Sequence, residues 1–256
     1  MLKILKLYSS MLVIAIIILA TAILYSATPY DVWRPLIGGI QIGVWDGQKL
    51  TGVSTGFPAY YNYYDIYYYI GFVTTGHAGD AGDYVYQPAD GDLVGSIYSS
   101  SPNYGDVAFV VTETDSWYPD PDTVEAKIYY SYNSNNYVYI DGYWSGKDLE
   151  YKIGSTLYKS GYKTSTTTGE LKRVINNWYY SNLGIFYKYA IIMDIYVEQG
   201  DSGGTVFYRE YVPGEGEYFW IVGIVSQYYY ESGTKLVICA SVDDAISYLG
   251  VEPIAS

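Results

Sequence analysis

The chain has 256 residues, half of them hydrophobic, which is enough apolar material for one large domain or two small ones. Only 16% of the residues are charged and the formal net charge is −13, so the surface repels nucleic-acid phosphates and anionic lipid headgroups, and neither is an expected partner. A single histidine and a single cysteine exclude an intramolecular disulfide and a zinc cage, and no clustered Asp/Asn/Gly calcium loop is present, so no metal and no cofactor are expected.

The N-terminus reads as an address. Lys3 and Lys6 precede the apolar run Met11 to Leu24, and the small residues Ser26 and Ala27 follow. This is the pattern of a secretory signal over residues 1–27, and the run is short for a membrane span. Tyr25 sits where a small residue is preferred before cleavage, so an uncleaved anchor on the outer face of the cell is the other outcome, and the only one that involves a membrane. Either way the bulk of the chain is expected outside the cytoplasm. Few residues separate this segment from Ile37-Gly-Gly39, so no large propeptide is expected.

Beyond it, β-like runs recur with turns between them. In chain order they are Ile40–Val44, Ile70–Thr74, Asp106–Val111, Thr123–Tyr129, Tyr137–Tyr143, Thr205–Tyr208, Trp220–Ser226 and Lys235–Ile238. Many short strands at this spacing predict an all-β sandwich or barrel. The 36 tyrosines fit that class, because tyrosine suits half-buried pleated surfaces. The lone Cys239, inside Val237-Ile-Cys-Ala240, is expected as a buried small hydrophobe. One helix is predicted, Val242–Leu249, opened by Ser241 as cap and ended by Gly250. The Pro/Asp/Ser-rich stretch Asp115–Asp122 divides the chain into residues 28–118 and 119–256.

Chemistry concentrates in Gly200-Asp-Ser-Gly-Gly204. Alone, this is a glycine-rich turn that contains a serine. A serine hydroxyl becomes a nucleophile when a base takes its proton and a third group orients that base. The only histidine, His77, ends the apolar run Phe72-Val-Thr-Thr-Gly-His77. Asp106 stands at the mouth of Val-Ala-Phe-Val-Val111. The serine also satisfies G-x-S-x-G, the nucleophile elbow of α/β-hydrolases, but that fold needs its histidine after the serine and none follows Ser202. The order His77, Asp106, Ser202 is the chymotrypsin order.

With these pieces assembled, the chain resembles the trypsin/chymotrypsin-fold serine proteases, in the bacterial branch of streptogrisins and α-lytic protease. Phe72-Val-Thr-Thr-Gly-His77 resembles the histidine motif, Asp106-Val-Ala108 the aspartate motif and Gly200–Gly204 the nucleophile motif. Lys159-Ser-Gly161 with Thr166-Thr-Thr-Gly169, and Gly223-Ile-Val-Ser226, resemble further family segments in family order. The resemblance implies two antiparallel β-barrels with a short C-terminal helix. Residues 28–118 would form the barrel carrying His77 and Asp106, and residues 119–256 the linker and the barrel carrying Ser202. It implies a monomeric endopeptidase acting on proteins or peptides, with Ser202 as nucleophile, His77 as base and Asp106 orienting it. The N–H groups of Gly200 and Ser202 would form an oxyanion hole, and the backbone at Ser226 would pair with the substrate. Asp201 would support the loop from inside.

The departures fall around the specificity pocket. Gln227 and Tyr228 stand where the family has glycines, and their bulk would narrow the pocket. Tyr196 stands where the trypsin branch has its pocket-floor carboxylate, so cleavage after Lys or Arg is not expected, although Asp194 is close in sequence. An aromatic lining favours apolar or small substrate side chains. The competing expectation is a non-catalytic member of the same fold that binds through tyrosine-rich loops.

Overall fold

The structure is a computed structural model that describes residues 27–63, 67–114 and 123–256. Residues 1–26, which hold nearly all of the expected signal, residues 64–66 and the Asp115–Asp122 break lie outside the described residues. Among the described residues no helix is long and apolar enough to cross a membrane.

The first half contributes β1 (Leu36–Gly38), β2 (Gln41–Trp45), β3 (Leu50–Ser54), β4 (Pro58–Tyr63), β5 (Tyr67–Thr75), β6 (Tyr84–Gln87), β7 (Asp92–Ser101) and β8 (Val107–Thr114). Then come β9 (Val124–Tyr129), β10 (Tyr137–Tyr139), β11 (Gly142–Tyr143) and a short helix α1 (Gly146–Leu149). The rest comprises β12 (Thr156–Gly161), β13 (Ser165–Tyr180), β14 (Ile185–Asp194), β15 (Thr205–Val212), β16 (Gly216–Glu231), β17 (Thr234–Ser241), α2 (Val242–Leu249) and β18 (Val251–Pro253).

Two sheets carry the architecture. The first runs β18-β4-β5-β8-β7-β6-β2-β3. Its ends meet because β3 and β4 are two arms of one bent segment. Thr55 still exchanges hydrogen bonds with Gly39 and Ile40 beside β2, while Gly56 and Phe57 already bond Val73 of β5. The second runs β11-β16-β15-β12-β13-β14-β17, and an additional β16–β17 pairing closes its last six strands into a ring. Two closed antiparallel barrels and a C-terminal helix therefore match the expected class, and closure leaves few unpaired edges. β18 departs from chain order: it returns from the second half to pair with Ala59, Tyr60 and Tyr61 of β4.

The continuous apolar runs follow from burial on both faces. Ala108 and Val110 of β8 point into the first barrel with Ile42, Phe72, Val85 and Ile97. Val107, Phe109 and Val111 point the other way, onto Ile192, Phe207, Ile224 and α2 of the second half. β17 repeats the division, with Val237 and Cys239 inside the second barrel and Leu236, Ile238 and Ala240 at the interface. Successive side chains of a strand point to opposite faces, so a strand set between two cores has no polar face to show. Each such valine, leucine, isoleucine or phenylalanine contributes roughly 1.5–3 kcal/mol by leaving water. The predicted helix is capped as its sequence implies. Ser241 and Asp244 form a reciprocal capping box, and Gly250 ends the helix in the left-handed region at φ 70°.

Candidate active site

β5 ends in a single 3-10 turn, Gly76–Ala78, that carries His77. The turn is pinned from two sides: Gly76 N–H donates to the Asp106 carbonyl at 2.9 Å, and Ser100 Oγ donates to the carbonyls of Gly76 and Gly79. Asp106 sits immediately before β8 with φ 53°, preceded by Gly105 at φ 74°. A side chain at Gly105 would lie 2.7 Å from Asp244 Cβ, so glycine is required there by space as well as conformation.

This backbone aims the Asp106 carboxylate at the imidazole. Oδ1 accepts the His77 N–H at 2.8 Å, and His77 Nδ1 lies 2.8 Å from Oδ2 and 3.1 Å from Oδ1. The carboxylate also accepts from Thr75 Oγ1 at 3.0 Å and from Ser226 Oγ at 2.6 Å, and Tyr187 OH lies 2.8 Å from Ser226 Oγ. Asp106 is fully buried, so these donors replace water around a charge that would otherwise be costly. An ionised carboxylate only accepts hydrogen bonds, so Nδ1 carries the proton and Nε2 keeps its lone pair. Burial lowers the His77 pKa and the bond and charge of Asp106 raise it; the net shift is upward from the ordinary 6.5. Burial drives the Tyr187 hydroxyl well above its ordinary value, with the Asp106 charge acting in the same direction.

Ser202 lies on the loop between β14 and β15, half-buried and seated against the same region. Ser54 N–H donates to the Ser202 carbonyl and Ser54 Oγ to the Gly200 carbonyl, both at 2.8 Å. Gly203 is packed so closely on Thr74 and Thr75 that a Cβ there would lie 2.4 Å from Thr74 Oγ1 and 3.2 Å from the Thr75 nitrogen. The stretches carrying Ser202 and His77 are thus neighbours, although no hydrogen bond joins the Ser202 hydroxyl to the imidazole among the described residues. The turn Glu198–Asp201 is closed by Asp201 N–H to the Glu198 carbonyl, with Gly200 at φ 109°. Positive φ at the third position is the type II form, which glycine fills without strain. Neither the Gly200 N–H nor the Ser202 N–H has a protein acceptor among the described residues.

The loop is anchored from inside by Asp201, which is fully buried. Its Oδ1 accepts from the N–H groups of Lys163 and Thr164, and its Oδ2 from the Glu198 N–H, Thr164 Oγ1 and, at 3.2 Å, Lys159 Nζ. Burial lowers the Lys159 pKa against the raising effect of Asp201.

Of the remaining sequence candidates, Gln227 places its amide nitrogen 3.1 Å from His77 Nδ1. Ser226 reaches Asp106, whereas Tyr196 and Tyr228 are 60% and 54% exposed and make no hydrogen bond to the imidazole among the described residues. Sequence reasoning missed Thr75, Tyr187 and Lys159 as parts of these hydrogen-bond networks. Thr75 and Lys159 stood out only as members of motif strings. Cys239 is fully buried and its thiol is pushed up by that burial. Among the described residues no three His, Cys, Asp or Glu side chains stand together as a metal site.

No protein-family model matches the chain, and no curated protein does. Solved structures do. Thermobifida fusca protease A aligns at 21% identity over 86% of this chain and 98% of its own, with a TM-score of 0.60. Cellulomonas bogoriensis chymotrypsin aligns at 22% over 86% and 98%, TM-score 0.59, and Nocardiopsis protease at 22% over 85% and 97%, TM-score 0.57. Two closed barrels, matched over nearly the whole length of these structures, give the chain the fold of the bacterial chymotrypsin-like serine proteases.

Proposed function

We propose that the chain is an exported serine endopeptidase in which Ser202 attacks the scissile carbonyl. His77 takes the hydroxyl proton through Nε2 and later returns it to the leaving amine, while Asp106 fixes the tautomer and stabilises the imidazolium. The N–H groups of Gly200 and Ser202 stabilise the oxyanion. The observation that carries this reading is the buried Asp106 carboxylate on Nδ1, which commits the other ring nitrogen to act as base beside the Ser202 loop. The basic and apolar N-terminal segment supports export.

The substrate strand has a place to bind. β15 pairs with β16 only as far as Ile224, and Gln227–Glu231 pair with β17 alone. Among the described residues no backbone hydrogen bond occupies the other edge of β16 beyond Val225, which leaves it to accept an extended peptide by β-addition, running past His77 along Ser226, Gln227 and Tyr228. Tyr196 lies across from it, on the stretch leading to Ser202.

A fluorophosphonate probe tests the reading. Intact protein is expected to be labelled at Ser202, located by peptide mass spectrometry, and no labelling of folded protein at neutral pH leaves the non-catalytic, binding reading. The labelling rate should rise with pH through the His77 titration, with its midpoint above 6.5, because the base must be neutral and Asp106 holds its proton more tightly. A midpoint below 6.5 contradicts that balance.

Gly200→Ala tests the oxyanion turn separately. A Cβ at Gly200 would lie 2.5 Å from the Tyr162 hydroxyl in a conformation that favours glycine, so the turn must give way. Loss of one oxyanion donor predicts about 10²–10³-fold lower kcat in a peptide-ester assay; kcat within about threefold of wild type would remove the Gly200 N–H from the mechanism.

A further inference from the structure

A cation bridges the two segments that flank the candidate nucleophile. Two segments diverge from the catalytic cluster: Tyr196–Gly200, which leads into Ser202, and Gln227–Tyr230 of β16, which leads away from His77. Lys235 joins them. Lys235 shares the face of β17 that carries Val237 and Cys239 into the second barrel, and extends that face to the open end of the strand. Its Nζ donates to the Val197 carbonyl at 2.9 Å and stands 4.4 Å from the centroid of the Tyr228 ring.

The charge of Lys235 is not matched. Acidic residues outnumber basic ones 27 to 14 in this chain, yet no carboxylate forms an ion pair with Lys235 among the described residues. The flanking acids are engaged elsewhere. The Glu198 carboxylate accepts from the Tyr196 hydroxyl, and Glu231 binds Arg173 at 3.0 Å. Asp194, on the other side of Tyr196 in sequence, lines a surface cleft with Lys172, Arg173 and Glu231. One carbonyl and one ring face leave an ammonium with three donors short of an acceptor.

We propose, resting on the protease reading, that Lys235 recognises a carboxylate on the substrate, so that the enzyme cleaves after acidic residues, Glu or Asp. A peptide laid along the free edge of β16 directs the side chain of the residue before the scissile bond between the two segments, toward Nζ. Tyr228 forms an apolar wall for the methylene stem, and the ammonium meets the carboxylate at its tip. This replaces the apolar or small preference expected from an aromatic lining: the aromatic side chain is present, but it holds a cation.

Tetrapeptide p-nitroanilides that differ only in the residue before the anilide (Glu, Asp, Gln, Leu or Lys) test the proposal. The secreted full chain is expected to show kcat/KM at least about tenfold higher for Glu than for Gln, the scale of one charge-assisted hydrogen bond. Lys235→Met should bring that ratio to about one, and Lys235→Arg should retain most of it, which separates recognition from general damage. A Glu/Gln ratio near one in the wild type, or an unchanged ratio in Lys235→Met, overturns the proposal. Binding of the matching peptide amides to Ser202→Ala, followed by calorimetry, gives the same ratio without turnover. If Ser202 is never labelled and no anilide is cleaved, the protease reading fails, and the Glu-over-Gln binding ratio still decides whether Lys235 selects a carboxylate.

Discussion

Replacing Asp106 with asparagine is expected to slow peptide hydrolysis about 10⁴-fold while the protein stays folded. The fold should survive because asparagine is among the side chains that best tolerate φ 53° and nearly matches aspartate in shape. The chemistry should not, because four donors converge on this carboxylate: His77 N–H, His77 Nδ1–H, Thr75 Oγ1 and Ser226 Oγ. An amide brings an NH₂ group into a ring of donors and favours the imidazole tautomer with its proton on Nε2, where the base is needed. The sign of the pH effect follows as well. With the carboxylate gone, burial acts on His77 unopposed, and the midpoint of residual activity should move to lower pH than in the wild type. Steady-state hydrolysis of a peptide ester from pH 5 to 9 measures both. Activity within tenfold of wild type, or a midpoint that moves upward, removes Asp106 from the orienting role.

The second large effect is on stability. Lys159→Met should destabilise the protein by about 3 kcal/mol, a fall in melting temperature of roughly 6–12 °C. Both side chains of the Lys159–Asp201 pair are fully buried, so removing the ammonium leaves an uncompensated carboxylate inside the second barrel. The backbone N–H groups of Glu198, Lys163 and Thr164 still solvate that charge but do not neutralise it. Removing both charges together, in Lys159→Met with Asp201→Asn, should recover part of the loss, because the penalty lies in the unpaired ion rather than in the absent pair. Differential scanning calorimetry of the three variants closes the cycle. A single variant that melts within 2 °C of wild type would mean the pair contributes little. Asp201 adjoins Ser202, so on the protease reading the single variant should also lose activity below its melting temperature as the Glu198–Asp201 turn loosens.

Much of this was legible from the residues. Val107–Val111, Trp220–Val225 and Leu236–Ala240 announce strands because both of their faces are buried, and Ser241, Asp244 and Gly250 mark their helix through local backbone chemistry. The longest hairpin, β13–β14, carries no comparable signal along β13, whose outer half mixes Asn176, Asn177, Trp178 and Tyr179 and is only partly buried. Among the site residues, His77, Asp106 and Ser202 stood out by type and order, and the structure joins the first two directly while seating the third beside them. Thr75, Tyr187, Tyr162 and Lys235 did not stand out. Their roles exist only once barrel closure has brought distant positions together, as with Ser226 on Asp106, 120 residues away, or Ser54 on Gly200, 146 away. An ordinary tyrosine or lysine in a strand carries no mark of the partner it will meet.

The pairing of β18 with β4 has a bearing on how the molecule comes into being. The outermost strand of the barrel that holds His77 and Asp106 consists of residues 251–253, supplied some 190 positions after the strand it covers. A chain emerging from its N-terminus can form the hairpins of that barrel early, but the flank of β4 stays bare until translation has passed Val251. Such late, distant pairings slow folding, because a long loop must close before the contacts reward it. The barrel that holds His77 and Asp106 is therefore completed last, and, on the protease reading, a nascent chain is expected to be inert while its own unfolded segments are within reach.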